Sequence, residues 1–238
     1  MRTVFHAMGM PISVDIPACD DAHIFLAVET IFRDCDNKFS TYIADSEVMA
    51  VQRGERDASS VSVELMHVWS LCEYYTERTG GYFSHYYKGL FDPTGLTKAY
   101  AIQLAVDLLE RLGYVRFCIN AGGDIAVRSD GKPWVLGLQH PQDMSAVMGT
   151  VSLTNGALAT SGTYVRGSHI IDPVHGSEPD CISVTVTGPD IITEDVLATA
   201  LFAMGRSRGI AFMRDQRGYE ALFIDHALSP VATPGFLA

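Results

Sequence analysis

The spacing of the apolar residues changes near residue 115, and this change constrains the fold more than any other feature of the chain. Before it, apolar residues recur at helical spacing over 21–39, 62–79 and 96–112, which predicts three helices. After it, short apolar runs predict strands at 115–119, 133–139, 147–153, 182–187 and 219–225. Because helices and strands do not follow a regular β-α-β order, we predict an α+β fold. It forms a single compact domain over residues 1–238, with helices flanking mixed or antiparallel sheets.

Two further segments complete the predicted pattern. Alternation between Ile12 and Ile16 predicts a strand near the N-terminus, and 40–47 has the composition of a polar loop. The stretch EDVLATALFAMG predicts a helix over 194–205 with Thr193 as its N-cap. The stretch SRGIAFMRDQ, which follows directly, is compatible with another helix.

The composition is that of a folded, acidic protein. Of 238 residues, 47% are hydrophobic and 19% are charged, which excludes a disordered chain. The formal net charge of −11 makes the surface repel phosphate backbones, so we expect no nucleic-acid partner. An acidic protein can still hold a phosphorylated small molecule, provided that a local cation or metal supplies the opposite charge.

The five cysteines include no C-x-x-C pair. Cys35, Cys72 and Cys118 lie among apolar residues, so we predict buried free thiols, as in a reducing compartment. No run approaches the roughly 18 apolar residues of a membrane span, and we therefore expect no transmembrane segment. The first residues also lack the pattern of an export signal, from which we predict a cytoplasmic location.

The stretch FDPTGLTKAYA, residues 91–101, brings a carboxylate, a Thr-Gly turn and a lysine close together. Helix N-termini carry positive partial charge and favour anions. Lys98, at the start of the predicted helix, is therefore electrostatically out of place. An anionic ligand against this helical turn would explain it; the alternative is an ordinary helix start.

A glycine pair follows the strand predicted at 115–119, in the stretch INAGGD. Glycines let the backbone approach a ligand closely, and Asp124 would then lie at the mouth of the strand. A dinucleotide site of the Rossmann kind is excluded because the G-x-G-x-x-G motif and the following helix are missing. The alternative is a plain tight turn.

The glycine-rich segment 159–176 carries Arg166 and His169. A cation and a near-neutral base close together in sequence suit a phosphoester centre. The alternatives are a structural histidine and an Asx-type turn at Asp172.

Asp195 and Thr199 are four residues apart, so both lie on one face of the helix predicted at 194–205. A carboxylate and a hydroxyl oxygen there suit a hard cation such as Mg²⁺. The alternative is that Asp195 complements the helix dipole and Thr199 packs.

Together these signals resemble the ApbE family of flavin transferases. In chain order the matching blocks are HAMGMPISVDI, FSTYIADSE, RTGGYF, DPTGLTKAYA, INAGGD, ATSG, HIIDPVHG and DVLATALFAMG. The resemblance implies a single ApbE-like (T-fold-like) domain that uses FAD and Mg²⁺. It further implies that FMN is transferred from FAD to a Thr or Ser hydroxyl of an acceptor flavoprotein, through a phosphoester bond and with release of AMP.

The resemblance also implies roles for individual positions. The implied FAD contacts are Met8, Tyr42, Tyr82, Phe83, Ser84, Asp92, Lys98 and Ile171. The implied metal ligands are Gly95, through its carbonyl oxygen, Asp195 and Thr199. His169 falls on the histidine that assists the transfer, as the base for the acceptor hydroxyl.

Three positions depart from the family pattern. Ser84 stands where many members carry an aspartate, and Ala198 stands where a second acidic metal ligand is common. Ala99 replaces a glycine after Lys98. Fewer charged ligands predict weaker metal affinity. These departures leave two alternatives to the transferase: an FAD diphosphatase giving FMN and AMP, and a flavin-binding protein without turnover.

Overall fold

The computed structural model describes residues 1–162, 173–176 and 178–236. The helices are α1 (Ala22–Phe39), α2 (Glu47–Gln52), α3 (Val63–Arg78), α4 (Thr94–Arg111) and α5 (Ile191–Met213). The strands are β1 (Arg2–Ala7), β2 (Met10–Asp15), β3 (Tyr86–Tyr87), β4 (Leu90–Phe91), β5 (Phe117–Ala121), β6 (Asp124–Arg128), β7 (Trp134–His140), β8 (Asp143–Leu153), β9 (Gly156–Gly162), β10 (Cys181–Gly188), β11 (Glu220–Asp225) and β12 (Pro230–Ala232).

The centre of the fold is an eight-stranded sheet in the order β1-β2-β5-β6-β9-β10-β11-β12. Every neighbouring pair in it is antiparallel. Two small antiparallel pairs, β3–β4 and β7–β8, lie outside this sheet. The predicted α+β class, with antiparallel sheets and flanking helices, is confirmed.

The two faces of the sheet are covered differently, because successive strand residues point to opposite sides. On β6, Ala126 packs into the main core with the helices. Ile125 and Val127 face the other way, into a smaller core that includes Leu136 and Leu138 of the β7–β8 pair. The helices therefore lie on one face and the β7–β8 pair on the other.

The predicted helices are close to the observed ones. Ser62 caps α3, as its side chain accepts a hydrogen bond from the Leu65 N–H. The predicted N-cap of α5 is wrong: Asp190, whose Oδ1 accepts the Ile192 N–H at 2.9 Å, caps the helix three residues earlier than Thr193. Gly205, with φ of 73°, interrupts the helical geometry of α5. The interruption lies where the helix predicted at 194–205 ends and the stretch SRGIAFMRDQ begins.

Within the described part of the chain, α5 alone is long and apolar enough to cross a membrane. However, 61% of its most apolar window is buried inside the fold, and the helix packs against β9 and β10. This apolar composition is that of a core helix.

The thiols are largely buried, as predicted. Cys19, Cys35, Cys72 and Cys181 are buried and free, whereas Cys118 is free but only partly buried. Cys118 lies on β5 with its side chain directed away from the main core, which explains the difference.

Candidate functional site

A cleft with a volume of about 730 Å³ opens between the β1–β2 turn, the end of α1 and the start of α4. It is lined by Met8, Gly9, Met10, Asp36, Ser40, Tyr42, Ile43, Tyr87, Asp92, Thr94, Thr97 and Lys98. Four of the residues implied to contact FAD thus meet at one cleft, although they come from separate parts of the sequence. Clefts of this size suit a cofactor-sized ligand.

The β1–β2 turn forms one wall of the cleft. Met8 and Gly9 both have positive φ, 53° and 72°, as a two-residue hairpin turn of type I′ requires. The Met8 N–H donates to Oδ2 of Asp36 at 2.8 Å, which ties the turn to α1. The position of Met8 is therefore fixed by the Asp36 carboxylate, which no motif in the sequence singled out.

Tyr42 forms an exposed edge of the cleft. Its backbone N–H donates to Oγ of Ser40 at 3.1 Å, while the residue is 94% exposed. A fixed backbone and a free ring are suited to stacking against a flat ligand.

The start of α4 is organised by Asp92. Oδ1 of Asp92 accepts the Thr94 N–H at 3.0 Å and the Thr94 hydroxyl at 2.6 Å. The Asp92 N–H donates to the carbonyl oxygen of His85 at 2.8 Å. The carboxylate thus satisfies a free N–H at the helix N-terminus while it lines the cleft.

Gly95 and Lys98 lie further into α4 than the sequence predicted. The helix begins at Thr94, so the expected Thr-Gly turn is the first helical turn and Lys98 is the fifth helical residue. A Cβ at position 95 would lie 3.2 Å from Cε2 of the Phe83 ring, so the glycine allows α4 to pack closely against Phe83.

Lys98 joins the cleft to a buried pair of carboxylates. Its ammonium contacts Oδ2 of Asp124 and lies 3.4 Å from Oδ1 of Asp195. Asp124 is 1% exposed and Asp195 is 4% exposed. This ion cluster explains in part why a lysine lies near the N-terminus of a helix, because buried carboxylates need a positive charge nearby.

The two carboxylates have different surroundings. Oδ1 of Asp124 accepts the Thr160 N–H at 3.2 Å. Oδ2 of Asp195 is buried and has no hydrogen-bond partner among the described residues. Burial raises the pKa of Asp195, the neighbouring Asp124 carboxylate raises it further, and the Lys98 ammonium opposes both effects.

The donors around Asp195 suit a hard cation. Thr199 lies one helical turn further along α5, and its hydroxyl is 3.1 Å from the Ser161 hydroxyl. Within the residues that the structure describes, no three His, Cys, Asp or Glu side chains converge on one point. A cation here would therefore depend on Asp195, hydroxyl and carbonyl oxygens, and water, which is a set that Mg²⁺ accepts.

Tyr82, Phe83 and Ser84 do not line the described cleft. Phe83 is 1% exposed and packs in the main core. The Tyr82 hydroxyl is 3.2 Å from Nδ1 of His175, and the Ser84 hydroxyl donates to the carbonyl oxygen of Tyr86 at 3.3 Å. Their implied contacts with FAD stay predictions.

Arg166, His169 and Ile171, which the sequence singled out, lie outside the described residues. The catalytic role implied for His169 and the FAD contact implied for Ile171 stay predictions for that reason.

Fold and site together define a class: a single-domain α+β protein with a cleft that opens beside a buried pair of carboxylates. The chain belongs to the ApbE family, whose sequence profile matches residues 8–92 and 88–223. The match covers most of the chain and confirms the resemblance seen in the sequence.

Individual relatives agree with this assignment. An FAD:protein FMN transferase of Vibrio cholerae is 34% identical over 134 residues, which are 50% of this chain and 40% of that protein. One of Klebsiella pneumoniae is 30% identical over 144 residues, which are 56% of this chain and 45% of that protein. The aligned stretches thus span less than half the length of these relatives.

Solved structures share the fold over the whole chain. The flavin transferase ApbE from Vibrio cholerae superposes with a TM-score of 0.81 at 22% identity, covering 99% of this chain and 98% of that one. The ApbE protein from Thermotoga maritima gives a TM-score of 0.85 at 21% identity, covering 100% and 99%.

Proposed function

We propose that this protein is a Mg²⁺-dependent transferase that moves FMN from FAD onto a Thr or Ser hydroxyl of an acceptor flavoprotein. The observation that carries the proposal is the cleft in which Met8, Tyr42, Asp92 and Lys98 meet. The names of the relatives, FAD:protein FMN transferase, support the same reaction.

The reaction is a substitution at phosphorus. The acceptor hydroxyl oxygen forms a bond to the FMN phosphorus of FAD, and the bond to the bridging oxygen breaks. AMP leaves with that oxygen, and the hydroxyl proton passes to a base. Mg²⁺, when bound, neutralises charge on the diphosphate and polarises the attacked phosphorus.

The described residues are suited to binding and orienting FAD. Tyr42 offers an exposed ring for stacking against a planar group. Lys98 is a cation at the cleft wall and so favours the diphosphate, which an otherwise acidic protein would repel. Asp92 holds the start of α4, the helix that carries Lys98, in place through its hydrogen bonds to Thr94.

The base is assigned to His169 by resemblance alone. His169→Ala should slow FMN transfer while FAD affinity is nearly unchanged, because a general base acts on the acceptor rather than on FAD. Transfer at the wild-type rate in that variant would remove the role.

The test of the proposal is incubation with FAD and Mg²⁺, with and without an acceptor that carries an Asp-x-x-Ser/Thr-Gly-Ala-Thr/Ser motif. We expect a stable mass gain of one FMN moiety on the acceptor and release of AMP. FMN and AMP formed without acceptor would identify an FAD diphosphatase instead. Intact FAD under both conditions would leave a flavin-binding protein without turnover.

The diphosphatase alternative has one structural argument in its favour. Ala198 is fully buried on α5 and provides no ligand, so the charged part of the contribution from α5 is the Asp195 carboxylate, beside the Thr199 hydroxyl. Fewer charged ligands predict weaker cation affinity, and this keeps the diphosphatase as the second candidate.

A further inference from the structure

Among the residues that the structure describes, the charges around Lys98 do not balance. Lys98 comes from α4, Asp124 from β6 and Asp195 from α5. Both carboxylates are more than nine-tenths buried, and both lie near the same ammonium. When both are ionised, one ammonium between two carboxylates leaves a net negative charge in a region with little water. Such a charge is costly unless a further cation or a proton compensates it.

The Asp195 carboxylate has one oxygen without a hydrogen-bond partner among the described residues. Oδ2 of Asp195 is buried without a hydrogen-bond partner in the described part of the chain. Buried polar atoms in folded proteins nearly always have a partner, so an exception points to a position where a water or an ion binds. The excess negative charge makes a cation the better match of the two.

The central sheet offers this site a second carboxylate from outside α5. Asp195 is the carboxylate that α5 contributes, and Ala198 on the same helix offers only a methyl group. Asp124 reaches the cluster from the central sheet, and its backbone and Oδ1 are held by pairing with β5 and by the Thr160 N–H. It is therefore a fixed carboxylate beside Asp195 that has no other assigned task.

We propose that Asp124 is the second carboxylate of the cation site, and that the Lys98 ammonium occupies the cation-free site and moves away from Asp195 when a divalent cation binds. This inference rests on the proposed function for the identity of the cation. It adds a ligand from the INAGGD turn and makes Lys98 a competitor of the cation.

The test uses Mn²⁺, a paramagnetic substitute for Mg²⁺, with the purified, FAD-free protein. The EPR signal of free Mn²⁺ gives its Kd for the wild type, Asp124→Asn, Asp195→Asn and Asp190→Asn. Asp190→Asn is the matched control, since it also removes one negative charge from the start of α5, while an asparagine oxygen can still accept the Ile192 N–H. We expect Asp124→Asn and Asp195→Asn to weaken Mn²⁺ binding roughly tenfold or more, and Asp190→Asn to change it less than about threefold.

Lys98→Met provides a second measurement if Asp124→Asn fails to fold. Because the ammonium competes with the cation, its removal should tighten Mn²⁺ binding roughly fivefold. Weaker binding in Lys98→Met, or wild-type affinity in a folded Asp124→Asn, would overturn the inference. If Asp195→Asn alone weakens binding, the inference fails but the proposed function stands. If the wild type binds neither Mn²⁺ nor Mg²⁺, the metal dependence in the proposed function fails as well.

Discussion

The Lys98 ammonium lies 3.4 Å from the Asp195 carboxylate, so a residue at the wall of the cleft is paired with one in the interior. The sequence pointed to Lys98 because a lysine near a helix N-terminus is unfavourable. The structure adds that two buried carboxylates face its ammonium from within the protein. Changes at this position should therefore affect folding as well as ligand binding.

Lys98→Met should lower the free energy of unfolding by roughly 3 kcal/mol in buffer without divalent cations, because two buried carboxylates lose their shared partner. Urea denaturation measures this, and FAD titration should show weaker binding in the same variant. Lys38→Met is the control: Lys38 pairs with the exposed Glu64 at 3.2 Å, and a surface pair contributes less than about 1 kcal/mol. Equal losses in the two variants would contradict the cluster's role in stability.

Asp195→Ala should reduce FMN transfer roughly a hundredfold, while FAD affinity falls much less, because the metal acts mainly on the transition state. Steady-state kinetics across a Mg²⁺ titration, together with flavin fluorescence for binding, separate the two effects. Unchanged activity of the variant at every Mg²⁺ concentration would remove Asp195 from the metal site.

Tyr42→Ala should weaken FAD binding roughly fivefold to tenfold, and Tyr42→Phe should leave it nearly unchanged, because the ring face rather than the hydroxyl provides the stacking. Neither change should alter the free energy of unfolding by more than about 0.5 kcal/mol, since the side chain is almost fully exposed. Comparable losses in both variants would point to the hydroxyl instead.

Gly95→Ala should fail to stabilise α4. Alanine is favoured over glycine inside a helix by about 1 kcal/mol. Here, however, the new Cβ meets the buried Phe83 ring at 3.2 Å. We expect a net loss of roughly 1 kcal/mol that disappears when Gly95→Ala is made in a Phe83→Leu background. Additive effects in that double-mutant cycle would show that the ring is not the obstacle.

The thiols should be almost unreactive in the native protein. Burial raises the pKa of Cys35, Cys118 and Cys181 to about 12, so little thiolate exists at pH 8. A thiol reagent such as DTNB should label the folded chain slowly and all five cysteines at once in guanidinium chloride. Rapid labelling of the folded protein would indicate frequent opening of the core.

The parts of the fold that the sequence predicted are those with long, strongly periodic patterns. The periodicity of 21–39 and 62–79 identified α1 and α3 within about two residues. In contrast, β6 and β9 were not predicted. β6 is short and follows the glycine turn directly, and β9, GALATSG, is mostly small residues. Strands of this kind are defined by their neighbours in the sheet rather than by their own pattern.

The candidate site was likewise predictable from the sequence only in part. Motif resemblance selected Met8, Tyr42, Asp92 and Lys98, and the fold brings all four to one cleft. The contact between Lys98 and Asp124 could not be predicted, because it joins residues 26 positions apart through the packing of α4 on the sheet. Such contacts depend on tertiary structure, which local patterns do not encode.

Because the three charges at Lys98 come from two helices and a central strand, they meet only after the sheet has formed and α4 and α5 have docked on it. A chain in which either helix is detached has the same residues but no cluster. Binding of a cation at the proposed site would therefore be a quantitative probe of native assembly: the fraction of molecules that bind should fall in step with the global unfolding transition, with no binding-competent intermediate.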